Sequence, residues 1–166
     1  MDGKLRQMTA LYLRAGENIL LLYRIGSRVV DPSWCGIGGH FEPEEVNDSR
    51  ACVLREVREE IGLTTEDMDG LCLRYVTMRH VKGELRFNHY FFADLKPGVR
   101  VPETCGEGRL EWVALSDVLQ RNMPVSAKHM LEHYLQTGKD TDLLYGGVTA
   151  EDGTVFYSMG KAERTE

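Results

Sequence analysis

Three glutamates, Glu56, Glu59 and Glu60, stand at relative positions 0, 3 and 4 of the segment Arg55-Glu-Val-Arg-Glu-Glu60. On a helix that spacing puts their carboxylates on one face. Like charges this close repel one another, and a bound hard cation offsets the repulsion. Mg²⁺ suits the role because it takes oxygen ligands while keeping waters and substrate phosphates in its shell. Arg55, four residues before Glu59, is placed to hold that carboxylate. An acidic helix face is by itself most often a solvated surface. The stretch ahead of it, Gly36-Ile-Gly38-Gly39, changes that reading, because glycine lets backbone carbonyls come close to a metal. It is not a dinucleotide-binding fingerprint, since Phe41 occupies the last glycine position and a loop precedes it.

The elements that must position these groups follow from periodicity. Gln7 to Leu13 and Ile19 to Arg24 read as strands joined by the turn Gly16-Glu-Asn18. Gly26 to Asn47, rich in Gly, Pro, Ser and Asp, reads as one long loop. A helix is expected from an N-cap at Asp48 to Ile61, with Gly62 closing it and Val53, Leu54, Val57 and Ile61 forming its apolar face. Leu71 to Val81 and Leu85 to Leu95 form a hairpin around Lys82-Gly-Glu84, and Arg109 to Leu115 alternates as a further strand. A second helix covers about Ser126 to Gln136, burying Met130, Leu131, Tyr134 and Leu135. Val155 to Met159 closes a last short strand after Glu151-Asp-Gly153. Residues 1–160 form one domain, and 161–166 read as a solvated, flexible tail. Strands mixed with two helices imply helices packed on a mixed sheet, an α/β (α+β) arrangement.

From Gly36 to Leu63 the chain resembles the Nudix box: a glycine, five residues, a glutamate, seven residues, then Arg-Glu-apolar-x-Glu-Glu-x-Gly-apolar. Arg55, Glu56, Val57, Glu59, Glu60, Gly62 and Leu63 match every fixed position of its second half, and Gly39 and Glu45 match the first. Nine residues, not seven, separate Glu45 from Arg55, which reads as a two-residue extension of the loop and leaves the role of Glu45 open. The resemblance implies an α/β/α sandwich with a central mixed sheet and Mg²⁺-dependent cleavage of a pyrophosphate linkage, with Mn²⁺ as a substitute. It implies Gly38, through its carbonyl, with Glu56, Glu59 and Glu60 as metal ligands. Glu59 or Glu60 would orient or deprotonate the water, with Glu107, in Cys105-Gly-Glu-Gly108, as a second candidate. Arg24 is placed to meet a substrate phosphate, and Gly39 and Trp34 to line the substrate site.

Trp34, the compact length and the Glu107 loop resemble the MutT-like branch acting on nucleoside triphosphates, oxidised purine nucleotides of the 8-oxo-dGTP type included. Two features depart from it: Cys35 stands where an asparagine can serve base recognition, and Asn122 to Lys128 lacks an acidic pair. No proline near Met78 points to ADP-ribose, and Tyr75 comes early for a dinucleoside polyphosphate enzyme. Trp34 is equally suited to a core. The rival class is a catalytically silent Nudix-fold domain that binds nucleotides. Such domains usually lack a metal carboxylate, and here all three are present.

The chain has 166 residues and a net charge of −6, with no basic cluster in the sequence, which argues against a nucleic-acid polymer as partner and leaves a small nucleotide as substrate. Hydrophobic residues at 42% and charged ones at 28% fit a soluble globular domain. The longest apolar run, ending at Tyr23, is far too short for a membrane helix, and no secretory signal opens the chain, so a cytoplasmic location is the default. A homodimer is left open. Cys35, Cys52, Cys72 and Cys105 lack zinc-like spacing and read as reduced thiols; His129 and His133 read as a solvated surface pair.

Overall fold

The computed structural model describes residues 4–25 and 31–164. Nine strands among them form one sheet: β1 (Lys4–Ala15), β2 (Asn18–Arg24), β3 (Ser33–Cys35), β4 (Met68–Val81), β5 (Glu84–Leu95), β6 (Thr104–Cys105), β7 (Gly108–Ala114), β8 (Leu143–Ala150) and β9 (Gly153–Lys161). The helices are α1 (Ser49–Ile61) and α2 (Val125–Gln136). The strand order is β6-β7-β2-β1-β5-β4-β8-β9, with β3 also against β2. β1 with β5 and β4 with β8 run parallel and the remaining pairs antiparallel, so the sheet is mixed.

Strand alternation splits the interior into two cores. Leu11 and Leu13 of β1, Leu20 of β2 and Phe91 of β5 face α1, where Val53, Val57 and Ile61 meet them. Tyr12, Ile19, Leu21, Tyr90 and Phe92 face the other way, onto Met130, Leu131 and Tyr134 of α2. A sheet covered on both faces explains why Ile19 to Leu22 is apolar without interruption. The result is the expected α/β/α sandwich. No helix of the described residues is long and apolar enough to cross a membrane.

α1 begins and ends where its caps dictate. The Asp48 carboxylate accepts from the Ala51 amide at 2.9 Å. Gly62, at φ 72°, closes the last turn by donating its amide to the Arg58 carbonyl at 3.0 Å.

The strand pairing around α1 opens a gap. β1 and β2 pair only at Arg14–Ile19 and Ala15–Asn18, beside their turn. Beyond it the segment 37–41 runs along β1: the Leu11 amide donates to Ile37 at 2.6 Å, the Thr9 amide to Gly39 at 2.9 Å, and the Phe41 amide to Gln7 at 3.2 Å. β3 takes the β2 side through Leu22–Cys35, Tyr23–Trp34 and Arg24–Ser33. A Cβ at Gly38 would overlap the Thr9 carbonyl, so only glycine lets this segment lie so close to β1.

Three expectations need correction, and one strand, β8, is additional to those expected. The loop from Gly26 to Asn47 is not structureless: it carries β3, the bridges of Ile37 and His40 to β1, and a 3₁₀ turn at Pro43–Glu45, while residues 26–30 lie outside the described residues. β8 is announced by no apolar alternation, because Gly146 and Gly147 sit at its centre. There they make room for Met159 and the Phe156 ring of β9. The tail is tied down as far as Arg164: Lys161 ends β9, the Ala162 amide donates to Asp142 at 2.8 Å, and Arg164 bridges to Cys72. The remaining Thr165 and Glu166 lie outside the described residues. His129 and His133 are half-buried rather than solvated. The first bonds Thr154 Oγ1 at 2.8 Å; the second bonds Tyr75 OH at 2.9 Å and packs on Tyr145 and Phe156.

Met130 is fully buried between α2 and the sheet. Met130→Ala is expected to lower stability by about 2–5 kcal/mol, as loss of a buried methionine does. Urea unfolding followed by circular dichroism measures it, and a loss under about 1 kcal/mol would mean this core is loosely packed.

Candidate active site

α1 lies over the glycine segment with two of its glutamates turned toward it. A Cβ at Gly39 would collide with the Glu56 carboxylate, so that carboxylate sits directly on the Gly39 backbone. One turn on, the Glu60 side chain is 6% exposed. Its Oε1 is 3.4 Å from Arg24 Nη2, and the same nitrogen donates to the Gly38 carbonyl at 2.9 Å. Glu60 Oε2 is buried without a hydrogen-bond partner among the described residues. Burial pushes the Glu60 carboxyl up to about 7; Arg24 works against the rise, while Glu107 and Glu56 add to it. Burial likewise raises Glu56, against the pull of Arg55.

Arg24 also reaches Glu107, whose Oε2 lies 2.8 Å from Nε as an ion pair. Chain geometry brings the two together. Glu107 occupies the turn between β6 and β7, Gly108 pairs with Arg24 across β2, and the Ile25 amide donates to the Glu107 carbonyl at 3.1 Å. The end of β2, the glycine segment, the C-terminal half of α1 and the β6–β7 turn therefore meet at one guanidinium.

A second guanidinium, Arg55, ties the opening of α1 to the turn before it. Nε and Nη2 donate to Glu45 at 2.7 and 2.9 Å, and Nη1 donates to Glu56 at 2.9 Å and Glu59 at 3.2 Å. Nη2 also donates to the His40 carbonyl at 3.0 Å. These bonds answer the question left by the loop extension. Val46 and Asn47 are taken up between the 3₁₀ turn and the cap, where the Asp48 amide donates to the Glu45 carbonyl at 2.7 Å, and Glu45 still meets Arg55 through both oxygens. The Arg55 bonds hold the Glu45 carboxyl down at about 2.

Glu59 stands apart from its two neighbours: its side chain is 59% exposed and leans on Arg55. Among the described residues no three His, Cys, Asp or Glu side chains converge on one metal-sized point, because Arg55 and Arg24 draw Glu56, Glu59 and Glu60 to different partners. Trp34 is 6% exposed and belongs to the core beneath α2. Tyr23 packs against its ring at 4.9 Å, and Arg121 and Arg109 cover it at 4.7 and 5.4 Å. Sequence reasoning missed these two arginines. The signal for Arg109 is the register Trp34–Tyr23–Arg109 across β3, β2 and β7, which needs the strand pairing. Cys35 beside it is a free thiol pushed up to about 11 by burial, and the other three cysteines are free as well.

An α/β/α sandwich whose helix presents Arg-Glu-x-x-Glu-Glu to a glycine backbone is the architecture of a Nudix hydrolase domain. The chain belongs to that family: the NUDIX domain model matches residues 4–134, well over half of it. Among solved structures, a MutT protein from Bacillus halodurans superposes with a TM-score of 0.66 at 22% identity, over 95% of this chain and 97% of that one. A MutT protein from Methanosarcina mazei Go1 gives 0.62 at 22%, over 84% and 99%. An Ap4A hydrolase from C. elegans gives 0.62 at 19%, over 83% and 99%. At these identities the likeness is one of fold. Nudix domains generally carry pyrophosphohydrolase activity toward small nucleotides with a divalent metal such as Mg²⁺.

Since the folded Glu45 carboxyl lies below its ordinary value of 4.5, its stabilising contribution is complete above 4.5 and is lost as pH falls toward 2. Glu45→Gln is expected to cost about 1–3 kcal/mol at neutral pH, screening at the cleft edge limiting the figure. The gap to the parent chain should narrow between pH 4.5 and 2 in urea titrations. A gap that stays constant over that range would remove Arg55 as its cause.

Proposed function

We propose that the chain is a Mg²⁺-dependent pyrophosphohydrolase that cleaves the pyrophosphate linkage of a nucleoside triphosphate or a related nucleoside diphosphate derivative. The observation that carries this reading is the buried Glu60 carboxylate, with Oε2 lacking a partner among the described residues and Oε1 sharing one cationic nitrogen with the Gly38 carbonyl. A buried carboxyl left short of partners is costly, and oxygen donors from a carboxylate and a backbone carbonyl are what a hard cation takes. Glu56, Glu60 and Gly38 would hold the ion, Glu59 joining from the rim, and Mn²⁺ would serve in place of Mg²⁺. When bound, the ion offsets phosphate charge and acidifies an attacking water.

The chain's own residues do the positioning. Arg55 orients Glu56 and Glu59 through bonds that Glu45 anchors. Arg24, half-buried and already between two carboxylates, turns its guanidinium to a substrate phosphate beside Gly39. Glu60, buried one turn beyond Glu56 and beside the Gly38 carbonyl, is the first choice to orient the water and take its proton, Glu59 the second and Glu107 the third. Trp34 acts as a wall of the nucleoside side rather than as a stacking plate, because its ring is covered by Tyr23 and Arg121. The neighbours are named as MutT proteins and as an Ap4A hydrolase, which puts oxidised purine triphosphates and dinucleoside polyphosphates on the same panel of trial substrates.

Phosphate and pyrophosphate release is measured across ordinary and oxidised nucleoside triphosphates, ADP-ribose and a dinucleoside polyphosphate, with Mg²⁺ or with EDTA. Magnesium-dependent release from one class is expected; silence from folded, metal-loaded protein would move the reading to a nucleotide-binding domain. Glu60→Gln should lower turnover on the order of 10²–10⁴-fold with the circular dichroism spectrum unchanged, and Glu59→Gln less. Near-full turnover in Glu60→Gln would take the proton from that residue.

A further inference from the structure

Three arginines stand in a row on one sheet face. Arg6 of β1 is in register with Arg86 of β5, and Arg86 with Arg79 of β4. β5 lies between the other two strands, and no register shift falls between Tyr75 and Val81. Registered residues share a face, so all three project on the side that carries Tyr12, Tyr75 and Tyr90. Like charges directly opposite one another destabilise a sheet, and this row sits in a chain of net charge −6. One carboxylate answers two of them: Glu84 lies 2.9 Å from Arg86 and 4.0 Å from Arg6. Arg79 is half-buried and makes no ion pair among the described residues.

The row adjoins the acidic site. Arg6 Nε donates to His40 Nε2 at 2.7 Å, and His40 follows Gly38-Gly39 directly. The bridge between Met8 and His40 puts that imidazole on the same face as the row. From Gly38 two residues of extended chain, about 7 Å, reach the His40 backbone, its ring carries on to Arg6 Nε at 2.7 Å, and the row then spans two strand spacings, about 10 Å. Guanidinium forks at that spacing suit phosphate oxygens better than any neutral group.

We propose that Arg6, Arg79 and Arg86 form a second anion subsite, which takes a phosphate group that the substrate carries beyond the scissile pyrophosphate. This deepens the reading of α1 as the pyrophosphate-cleaving face and names the preferred substrate class: compounds with one phosphate more than the linkage itself requires. That phosphate belongs either to a lengthened polyphosphate chain or to the ribose, and both present the same dianionic oxygens.

Two measurements test the assignment. First, inorganic tripolyphosphate is titrated calorimetrically into the whole chain in EDTA. The parent protein should bind it, Arg79→Gln and Arg86→Gln should each weaken binding at least tenfold, and Arg79→Lys should restore part of the loss. Failure of the parent to bind, or binding by both glutamine variants as tight as the parent's, overturns the subsite. Because no metal is present, this outcome is independent of whether any nucleotide is hydrolysed. Second, Mg²⁺-dependent hydrolysis is compared within pairs differing by one phosphate: a nucleoside 5′-tetraphosphate against the triphosphate, and coenzyme A against dephospho-coenzyme A. A tenfold or larger kcat/KM preference for the richer member of one pair is expected. Arg79→Gln should erase it through KM and leave the poorer member's rate as it was. A preference in the first pair identifies a chain phosphate, and in the second a ribose phosphate. No preference in either pair, or equal losses on both members, sinks the proposal. Absence of hydrolysis throughout would instead strike the activity of α1 while the titration still decides the row.

Discussion

Too much negative charge is gathered along one side of α1 for the fold to leave unattended. Glu45, Glu56, Glu59, Glu60 and Glu107 all lie there, and two guanidiniums divide them: Arg55 takes the first three and Arg24 the last two. The division is uneven in its consequences. Arg55 holds Glu45 through two short bonds and pulls its carboxyl down to about 2. Arg24 stands 3.4 Å from Glu60, too far to offset burial, and that carboxyl rises to about 7. One arginine thus builds a fixed structural pair, and the other leaves a carboxylate short of charge. A pre-set bond of the first kind keeps a site rigid, and a deficit of the second kind is what the proposed cation would offset.

The sheet makes this crowding geometrically available. β1 and β2 separate right after their turn, and the glycine segment fills the gap by bonding its backbone to β1. That leaves the Gly38 carbonyl free to point at Arg24 and brings the Gly39 backbone under Glu56. Substituting either glycine would press a Cβ into backbone or carboxylate, so the site depends on a small loss of side chains as much as on the charges. α1, anchored by its Asp48 cap and by Val53 and Val57 in the core, supplies the rigid side of the cleft.

What could be read from the sequence was whatever is local. α1 was legible to within a residue because its cap, its apolar spacing and its terminal glycine agree. The α/β/α layering followed from the strand and helix count together with the resemblance carried by the box. Glu45 was ambiguous for a local reason too: counting along the chain cannot tell an extension that bulges outward from one that shifts the register. Only the 3₁₀ turn shows that Val46 and Asn47 bulge. β8 was hidden because two glycines replace the branched residues a strand usually shows, and the contacts that favour glycine there come from β9. The histidines of α2 were misplaced for the same reason, since β9 and the Tyr75 ring that cover them are remote in sequence. The arginine row was invisible outright. Arg6, Arg79 and Arg86 are scattered along the chain, and no spacing rule connects them until β1, β5 and β4 are paired.

Net charge misleads in a related way. At −6 the chain repels a polyanion on average. The average, however, is dominated by carboxylates that are either surface-exposed or already claimed by Arg55 and Arg24. A small phosphate compound responds to the field inside the cleft, where charges are close and screened little, rather than to the sum over the surface. His40 stands between the two charges: its carbonyl accepts from Arg55 on the side of the α1 glutamates, and its ring accepts from Arg6, the first of the arginine row, on the other face. A substrate that is itself asymmetric, metal-bound at one phosphate pair and bare at another, matches that polarity in only one orientation. On the proposed function, orientation of this kind would decide which anhydride bond lies at Glu60, so the separation of charge would do for bond selection what the helix face does for reactivity.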